Sequence, residues 1–172
     1  MKFKLFCGNF YIVTIILCYY SLMQMDLILL RQISVLSILF GGIIGILTLV
    51  PYLGTFTFIF LICFIAPLVI WLLIENKCLI LEKTQDSIII GAISGFVSFM
   101  SFSIFFVPMS IVLIRYFGFA SNYGVGLMVA NANFFLLFVI AVFLGVVGAT
   151  VNAFTGFLTF YVVELINKSK NN

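Results

Sequence analysis

The chain has 172 residues, of which 65% are hydrophobic and 8% are charged, with a net charge of +3. Soluble domains are about half apolar and about a quarter charged, so this composition excludes a soluble globular protein. The densest basic cluster is Lys168-Ser169-Lys170, which is too sparse for a nucleic-acid-binding surface, so no nucleic-acid partner is expected.

The first apolar segment, residues 5–23, is long enough to cross a hydrocarbon core of about 30 Å. Charged residues flank it on both sides, with Lys2 and Lys4 before it and Asp26 after it. A cleavable signal peptide is not expected, because no small-x-small cleavage site follows the apolar core. The segment either lies in the membrane interface or forms a fifth span, and translation from Met23 or Met25 would remove it.

The rest of the chain predicts a bundle of four transmembrane helices, because four uncharged apolar stretches follow one another between short charged or turn-forming islands. The predicted spans are about 33–50, 55–74, 87–114 and 133–163. The predicted organisation is therefore an all-α integral membrane protein with an apolar N-terminal segment (1–28), a transmembrane bundle (29–166) and a polar cytoplasmic tail (167–172).

The connections between these spans differ in kind. Pro51-Tyr52-Leu53-Gly54 predicts a tight antiparallel hairpin between the first two spans. Residues 118–132 are rich in glycine yet apolar, which predicts a loop in the headgroup layer, with a re-entrant segment as the alternative. Pro67 and Pro108 lie inside predicted spans, and each is expected to kink its helix.

The distribution of Lys and Arg predicts the orientation, since cytoplasmic loops of membrane proteins carry an excess of these residues. With four spans, only Arg115 lies on one side, and seven basic residues share the other: Lys2, Lys4, Arg31, Lys77, Lys83, Lys168 and Lys170. If residues 5–23 also span, the split falls to five against three. The asymmetry favours four spans with both termini cytoplasmic, in a bacterial inner membrane.

Three of the four predicted spans carry stripes of small residues at helical spacing, which is typical of close helix contacts in lipid. Gly41 with Gly45 and Gly91 with Gly95 are G-x-x-x-G pairs. The stripes are interpreted as packing faces, and the alternative is a narrow polar seam, between the spans at 33–50, 87–114 and 133–163, that a ligand or solute would use. The residues selected on this basis are Gly41, Gly45, Gly91, Gly95, Ser98, Gly145, Gly148, Asn152, Thr155 and Gly156.

Asn152 is the most polar side chain predicted to lie near the middle of a span. A buried amide needs hydrogen-bond partners, because an unpaired polar group is costly in an apolar environment. The Ser and Thr residues of spans 33–50 and 87–114 are expected to supply these partners. Asn152 is interpreted as structural, with a role in binding as the alternative.

The sequence offers little for catalysis. It has no histidine, which excludes Ser-His and Cys-His nucleophile pairs and histidine metal sites. No two of the four cysteines are in C-x-x-C spacing, so neither a metal site nor a disulfide framework is expected. The acidic residues lie at span ends or in a loop, and they are Asp26, Glu75, Glu82, Asp86 and Glu164. We therefore expect no enzyme activity, no catalytic residue, no cofactor and no metal.

The predicted function is that of a small multipass membrane protein with a non-enzymatic role as a membrane-embedded accessory or packing subunit. Its expected partners are the lipid bilayer and either another membrane protein or a second copy of itself. The alternative is a small transporter or channel-like protein that uses the polar seam. No intramembrane charge of the kind that marks proton or ion pathways is present in the sequence, which weighs against this alternative.

Overall fold

The computed structural model describes residues 27–50, 52–76, 78–79, 83–118 and 131–170. Regular structure in these residues is helical, without strands, which confirms the predicted all-α class for this part of the chain. The helices are Leu27–Leu47 (α1), Leu53–Cys63 (α2), Ile65–Glu75 (α3), Thr84–Phe117 (α4) and Phe134–Lys170 (α5).

The chain divides into two compact units, Met1–Gln32 and Ile33–Asn172. In the first unit the described residues are 27–32, which begin α1. Residues 1–26 of the predicted N-terminal segment and most of the loop predicted at 118–132 lie outside the described residues, so both remain predictions. The last two residues of that segment, Leu27 and Ile28, belong to α1, which begins six residues before the predicted start of the first span at 33.

Three helices are individually long and apolar enough to cross a membrane: α1, α4 and α5. The stretch predicted as one span at 55–74 is two helices, α2 and α3, bent by 58° where they meet. This pair meets the same criterion only when it is counted as one crossing. The kink predicted at Pro67 is therefore present, and it is sharp enough to end one helix and begin another.

The ends of α4 and α5 lie beyond the predicted limits of their spans. α4 begins at Thr84, with Asp86 in its first turn and Arg115 in its last, both placed favourably for the helix dipole. Gly118 closes α4 in the left-handed conformation, with φ at 62°. α5 continues through residues 164–170, which include part of the predicted tail. With 34 and 37 residues, both helices are longer than a perpendicular crossing requires.

The contacts between helices give their relative directions. Gly41 faces the backbone of Ser98 and Gly45 faces Phe102, so α1 and α4 run parallel. Gly148 faces Phe99, whereas Gly156 lies eight residues later and faces Ser87, so α5 runs antiparallel to α4. The Thr48–Thr57 hydrogen bond joins the end of α1 to α2 in a hairpin, as predicted for this connection. The chain therefore reverses direction from α1 to α2–α3, then to α4, and again to α5.

The interior of the second unit is centred on α3 and the middle of α4. Ile65, Ala66, Val69 and Ile70 of α3 are completely buried, and Phe99 of α4 is 1% exposed. α5, by contrast, presents large apolar side chains outward along most of its length. Such a surface is compatible with a protein whose outer face contacts lipid.

Candidate functional site

The break between α2 and α3 is a direct consequence of Pro67. Proline has no N–H to donate to the carbonyl of Cys63, and its ring would clash with that carbonyl in a continuous helix. Phe64, between the two helices, has φ −111° and ψ −10° and is outside regular helical geometry. Its N–H still donates to Phe60 O at 2.9 Å, and Leu68 N–H donates to Phe64 O at 3.1 Å. Helical hydrogen bonding therefore continues up to the break and resumes immediately after it.

Asn152 of α5 contacts both sides of this break and is completely buried. Its Oδ1 accepts a hydrogen bond of 3.0 Å from the N–H of Ala66, in the first turn of α3. Its Nδ2 donates to Gly148 O at 2.9 Å, within α5, and to Leu61 O of α2 at 3.4 Å. In an unbroken helix the Ala66 N–H would donate to Ile62 O. At the break, Asn152 Oδ1 takes the place of that carbonyl as the acceptor.

The expectation that Ser and Thr side chains of α1 and α4 pair with Asn152 was wrong. Its partners are the backbone groups at the break and the carbonyl of Gly148 in its own helix. The serines nearest in sequence to the α4 glycines are satisfied within α4: Ser94 donates to Gly91 O and Ser98 donates to Ser94 O. A serine hydroxyl on a helix can donate to the carbonyl one turn earlier in the same helix. A hydroxyl bonded in this way has no further proton to donate to another helix.

Glycines let α4 and α5 approach until their backbones touch. A Cβ added at Gly95 would lie 2.6 Å from Asn152 Cβ and 2.6 Å from Gly148 O. A Cβ at Gly91 would collide with the backbone of Asn152, and one at Gly156 would lie 2.6 Å from Ser87 O. The Ser87 hydroxyl also donates to Gly156 O at 2.6 Å, so this face combines close packing with an interhelical hydrogen bond.

A second close contact joins α1 to α4. A Cβ at Gly41 would collide with the backbone of Ser98, and one at Gly45 would lie 3.1 Å from Phe102 O. The hydroxyl of Ser101 donates to Ile38 O across this contact at 2.8 Å. At the glycine positions of both contacts, the neighbouring helix already occupies the space that a side chain would need.

Two of the residues selected from the sequence lie outside these backbone contacts. Gly145 faces the ring of Phe96, whose nearest atom would be 3.1 Å from a Cβ at that position. Thr155 is half-buried and donates to Asn152 O of its own helix at 3.1 Å, a bond that does not link helices. The structure therefore brings Gly91, Gly95, Gly148, Asn152 and Gly156 together between α4 and α5, and Gly41, Gly45 and Ser98 together between α1 and α4.

Sequence reasoning missed the contacts of α2. The hydroxyl oxygens of Thr48 and Thr57 lie 2.8 Å apart and share a hydrogen bond. The ring of Phe58 packs against Phe99 and Phe102, with ring centroids 6.0 and 6.2 Å away. Thr48 follows Gly45 at helical spacing and lies just beyond the end of α1, but no sequence pattern pairs it with Thr57 in particular.

The chemistry available inside the described part of the bundle is neutral hydrogen bonding. The buried polar side chains there are hydroxyls and one amide: Ser37, Thr48, Thr57, Ser87, Ser94, Ser98, Ser101, Ser103, Ser110 and Asn152. Among the described residues, no group of three or more His, Cys, Asp or Glu side chains is arranged to hold a metal ion. Hydroxyls and an amide can orient and stabilise backbone groups, and they lack an ionisable group for proton transfer near neutral pH.

Comparison of the chain with models of known protein families, with curated protein sequences and with solved structures gave no match.

Proposed function

We propose that this protein is an integral membrane protein of a bacterial inner membrane and that it serves as a non-enzymatic accessory subunit that works through helix contacts. The observation that carries the proposal is that the chain itself occupies the seam between its helices. The glycines of α1, α4 and α5 face backbone or ring atoms at contact distance, and the buried amide of Asn152 is used by the chain itself.

We further propose that α1, the bent pair α2–α3, α4 and α5 each cross the bilayer once. The 23 residues from Leu53 to Glu75 have a helical contour of about 34 Å, which a symmetric 58° bend shortens to about 30 Å. That length matches the hydrocarbon thickness of about 30 Å. Each of the four elements runs in the direction opposite to the one before it. This alternation supports an even number of crossings, four, in this part of the chain.

The positions of charged and aromatic side chains support an orientation with the C-terminus in the cytoplasm. Because α4 and α5 are antiparallel, Lys83 and Lys168 lie at the same end of this helix pair and Arg115 lies at the other. An excess of basic residues is typical of the cytoplasmic side. Tyr116 and Trp71 are 79% and 59% exposed near opposite ends of the bundle, as expected of interfacial aromatic residues.

The outward surface of α5 supports a role in contacts within the membrane. Phe134, Phe143, Phe154 and Leu165 are each at least 60% exposed along this helix. Lipid chains or a transmembrane helix of another protein can cover such a surface without exposing polar groups. An accessory subunit needs a surface of this kind, and the packed faces of α1 and α4 are already occupied.

The break between α2 and α3 favours a second candidate function, transport of a small solute. Secondary transporters place substrate sites at discontinuous helices near the bilayer midplane. Here the nearest buried amide is Asn152, and it already binds Ala66 and Leu61 at the break. Transport would require these bonds to open, and for this reason the accessory role is preferred.

Extraction in a mild detergent followed by native mass spectrometry tests the accessory role. A second protein at fixed stoichiometry is expected, and it should be lost on Phe154→Ala but retained on Ile104→Ala, a matched change on α4 at 64% exposure. A lone monomer, or loss of the second protein in both variants, would contradict a specific contact through α5.

Thiol labelling separates the two candidate functions. Ser98 is fully buried against α1, and Thr155 is half-buried on α5. In a background without native cysteines, Ser98→Cys and Thr155→Cys should resist a membrane-impermeant maleimide if the bundle is packed. Labelling of both from the aqueous side would support the transporter instead. Leu165→Cys, at 66% exposure near the cytoplasmic end, serves as the positive control.

A further inference from the structure

The two halves of the broken helix are anchored to very different extents. Five of the eleven residues of α3 are buried, against two of eleven in α2, Thr57 and Leu61. Outward-facing residues of α2 are large and apolar, including Phe56 at 75% and Ile59 at 51% exposure. Segments with few buried contacts open at a lower free energy than segments inside the core. α2 is therefore the weakly held half of the pair.

The backbone leaves helical geometry at each end of α2. At its carboxyl end, Phe64 has φ −111°, far from the usual helical value, and Pro67 prevents the helix from closing across the break. At its amino end, Tyr52 has φ 69°, in the left-handed region that residues other than glycine rarely adopt. α2 is thus a short rigid rod connected at both ends through residues whose torsions already differ from those of a helix.

If α2 moves away, the side chains that contact it, Thr48 and Asn152, keep hydrogen bonds to other groups. Thr48 also donates to Ile44 O at 2.7 Å, and Thr57 lies 3.0 Å from Leu53 O, so each hydroxyl keeps an acceptor within its own helix. The Asn152 contact with Leu61 O is the longest of its three at 3.4 Å. If α2 moves, Asn152 retains its bonds to Ala66 and Gly148.

We propose that α2 is a lateral lid, which moves about joints at Tyr52 and Phe64 while α1, α3, α4 and α5 remain in place. The closed position is held by the Thr48–Thr57 hydrogen bond and by Phe58 against Phe99 and Phe102. Opening uncovers Phe99 and Phe102, which are 1% and 5% exposed in the closed structure. The Leu61 carbonyl moves away from Asn152 with the lid.

The lid opens toward lipid and not toward water. The outer face of α2 is apolar, and in the bilayer it contacts hydrocarbon whether the lid is open or closed. Moving α2 therefore transfers no apolar surface into water, and its cost is limited to lost packing and interhelical hydrogen bonds. The surface uncovered on α4 is aromatic, and the nearby Ser94 and Ser98 hydroxyls are already bonded within α4, so it suits a hydrocarbon chain entering from the bilayer.

Distance measurements between spin labels in lipid nanodiscs test this proposal. All native cysteines are first replaced by alanine, and labels are attached through Phe56→Cys on α2 and Phe143→Cys on α5. A control pair uses Trp71→Cys on α3 with the same α5 position. All three residues are between 59% and 75% exposed, so the labels disturb no buried contact. The α2 pair should show two distances and the α3 pair a single one.

Removal of the Thr48–Thr57 hydrogen bond should shift this population. Thr57→Val should raise the ratio of the longer to the shorter α2 distance roughly threefold, as expected for loss of one interhelical hydrogen bond in a membrane protein. The matched change Thr150→Val removes a hydroxyl that donates within its own helix, to Val147 O, and should leave the ratio unchanged.

A single narrow distance for the α2 pair, with or without Thr57→Val, would overturn the lid. Equal broadening of the α2 and α3 pairs would also overturn it, because the whole bundle would then be heterogeneous. If Thr57→Val fails to fold, which the α3 control pair would reveal, the comparison of the two label pairs in the protein with Thr57 intact decides the question.

Discussion

Replacing Asn152 with leucine removes the side chain that bridges the two halves of the broken helix. Leucine has the same branched shape as asparagine, so the close contact with Gly95 is largely kept, while all three hydrogen bonds of the amide are lost. The Ala66 N–H then lies buried, and its former acceptor is replaced by a methyl group. The variant therefore isolates the contribution of hydrogen bonding at the break.

The expected loss of stability is about 2 kcal/mol, and one bond dominates it. Among the described residues, the Oδ1 bond to Ala66 N, at 3.0 Å, is the only short bond joining the amide to another helix. Interhelical hydrogen bonds in membrane proteins contribute about 0.6 kcal/mol on average and about 1.7 at most. Stranding a buried N–H costs about 1–3 kcal/mol. Loss of the long bond to Leu61 and of the bond within α5 adds little.

Unfolding by sodium dodecyl sulfate in mixed micelles, followed by fluorescence, measures this difference. Trp71 is the only tryptophan in the chain and lies on α3, the helix that Asn152 binds through Ala66, so it reports on the affected helix. The control Thr155→Val removes a hydroxyl bonded within α5 and should cost less than about 0.5 kcal/mol. Equal free energies of unfolding for Asn152→Leu and Thr155→Val would refute the bridging role.

Three further changes give distinct expectations for the free energy of unfolding in the same assay. Gly41→Ala should lower it by more than about 2 kcal/mol because the Cβ meets the α4 backbone, whereas Gly42→Ala meets only a rotatable phenylalanine ring and should stay within about 1 kcal/mol of wild type. Pro67→Ala removes the ring that keeps the helix from closing, so Ile62 O can again accept from the Ala66 N–H. Asn152→Leu should therefore cost at least about 0.5 kcal/mol less in that background, and additive effects would contradict the coupling. Lys168→Ala breaks an exposed ion pair of 2.7 Å and should change stability by less than about 0.5 kcal/mol at any salt concentration.

The helices themselves could be predicted because uncharged apolar stretches alternate with short charged or turn-forming islands along the sequence. The predicted start at 133 differs by one residue from the observed start of α5 at Phe134, and the predicted end at 114 by three from the end of α4 at Phe117. The extension of α5 through residues 164–170 was missed, because polar residues were taken as the end of the helix. Glu164 and Lys168, spaced by four, pair on its surface and were the available signal.

The arrangement at the break could be predicted only in part. Proline removes a donor wherever it stands in a helix, so a kink at Pro67 follows from local chemistry. Its hydrogen-bond partner does not, because Asn152 lies 86 residues beyond Ala66 and no local pattern relates the two. The same limit applies to the small-residue stripes: their spacing indicates close packing, but the pairing of Gly41 with Ser98, or of Gly91 with Asn152, depends on the three-dimensional arrangement of the helices.

The helix break at Pro67 and the buried amide of Asn152 satisfy each other's hydrogen-bonding groups. If the bundle lies in lipid, as proposed, no water is present to satisfy a displaced backbone group, so a broken helix is tolerated only where protein supplies the missing partners. A buried amide is likewise tolerated only where it finds both a donor and an acceptor. At this site the break presents the Ala66 N–H and the Leu61 carbonyl, and the amide presents the matching Oδ1 and Nδ2. Each feature is costly without the other, and the glycines at 91 and 95 bring α5 close enough to α4 for the amide to lie beside the break.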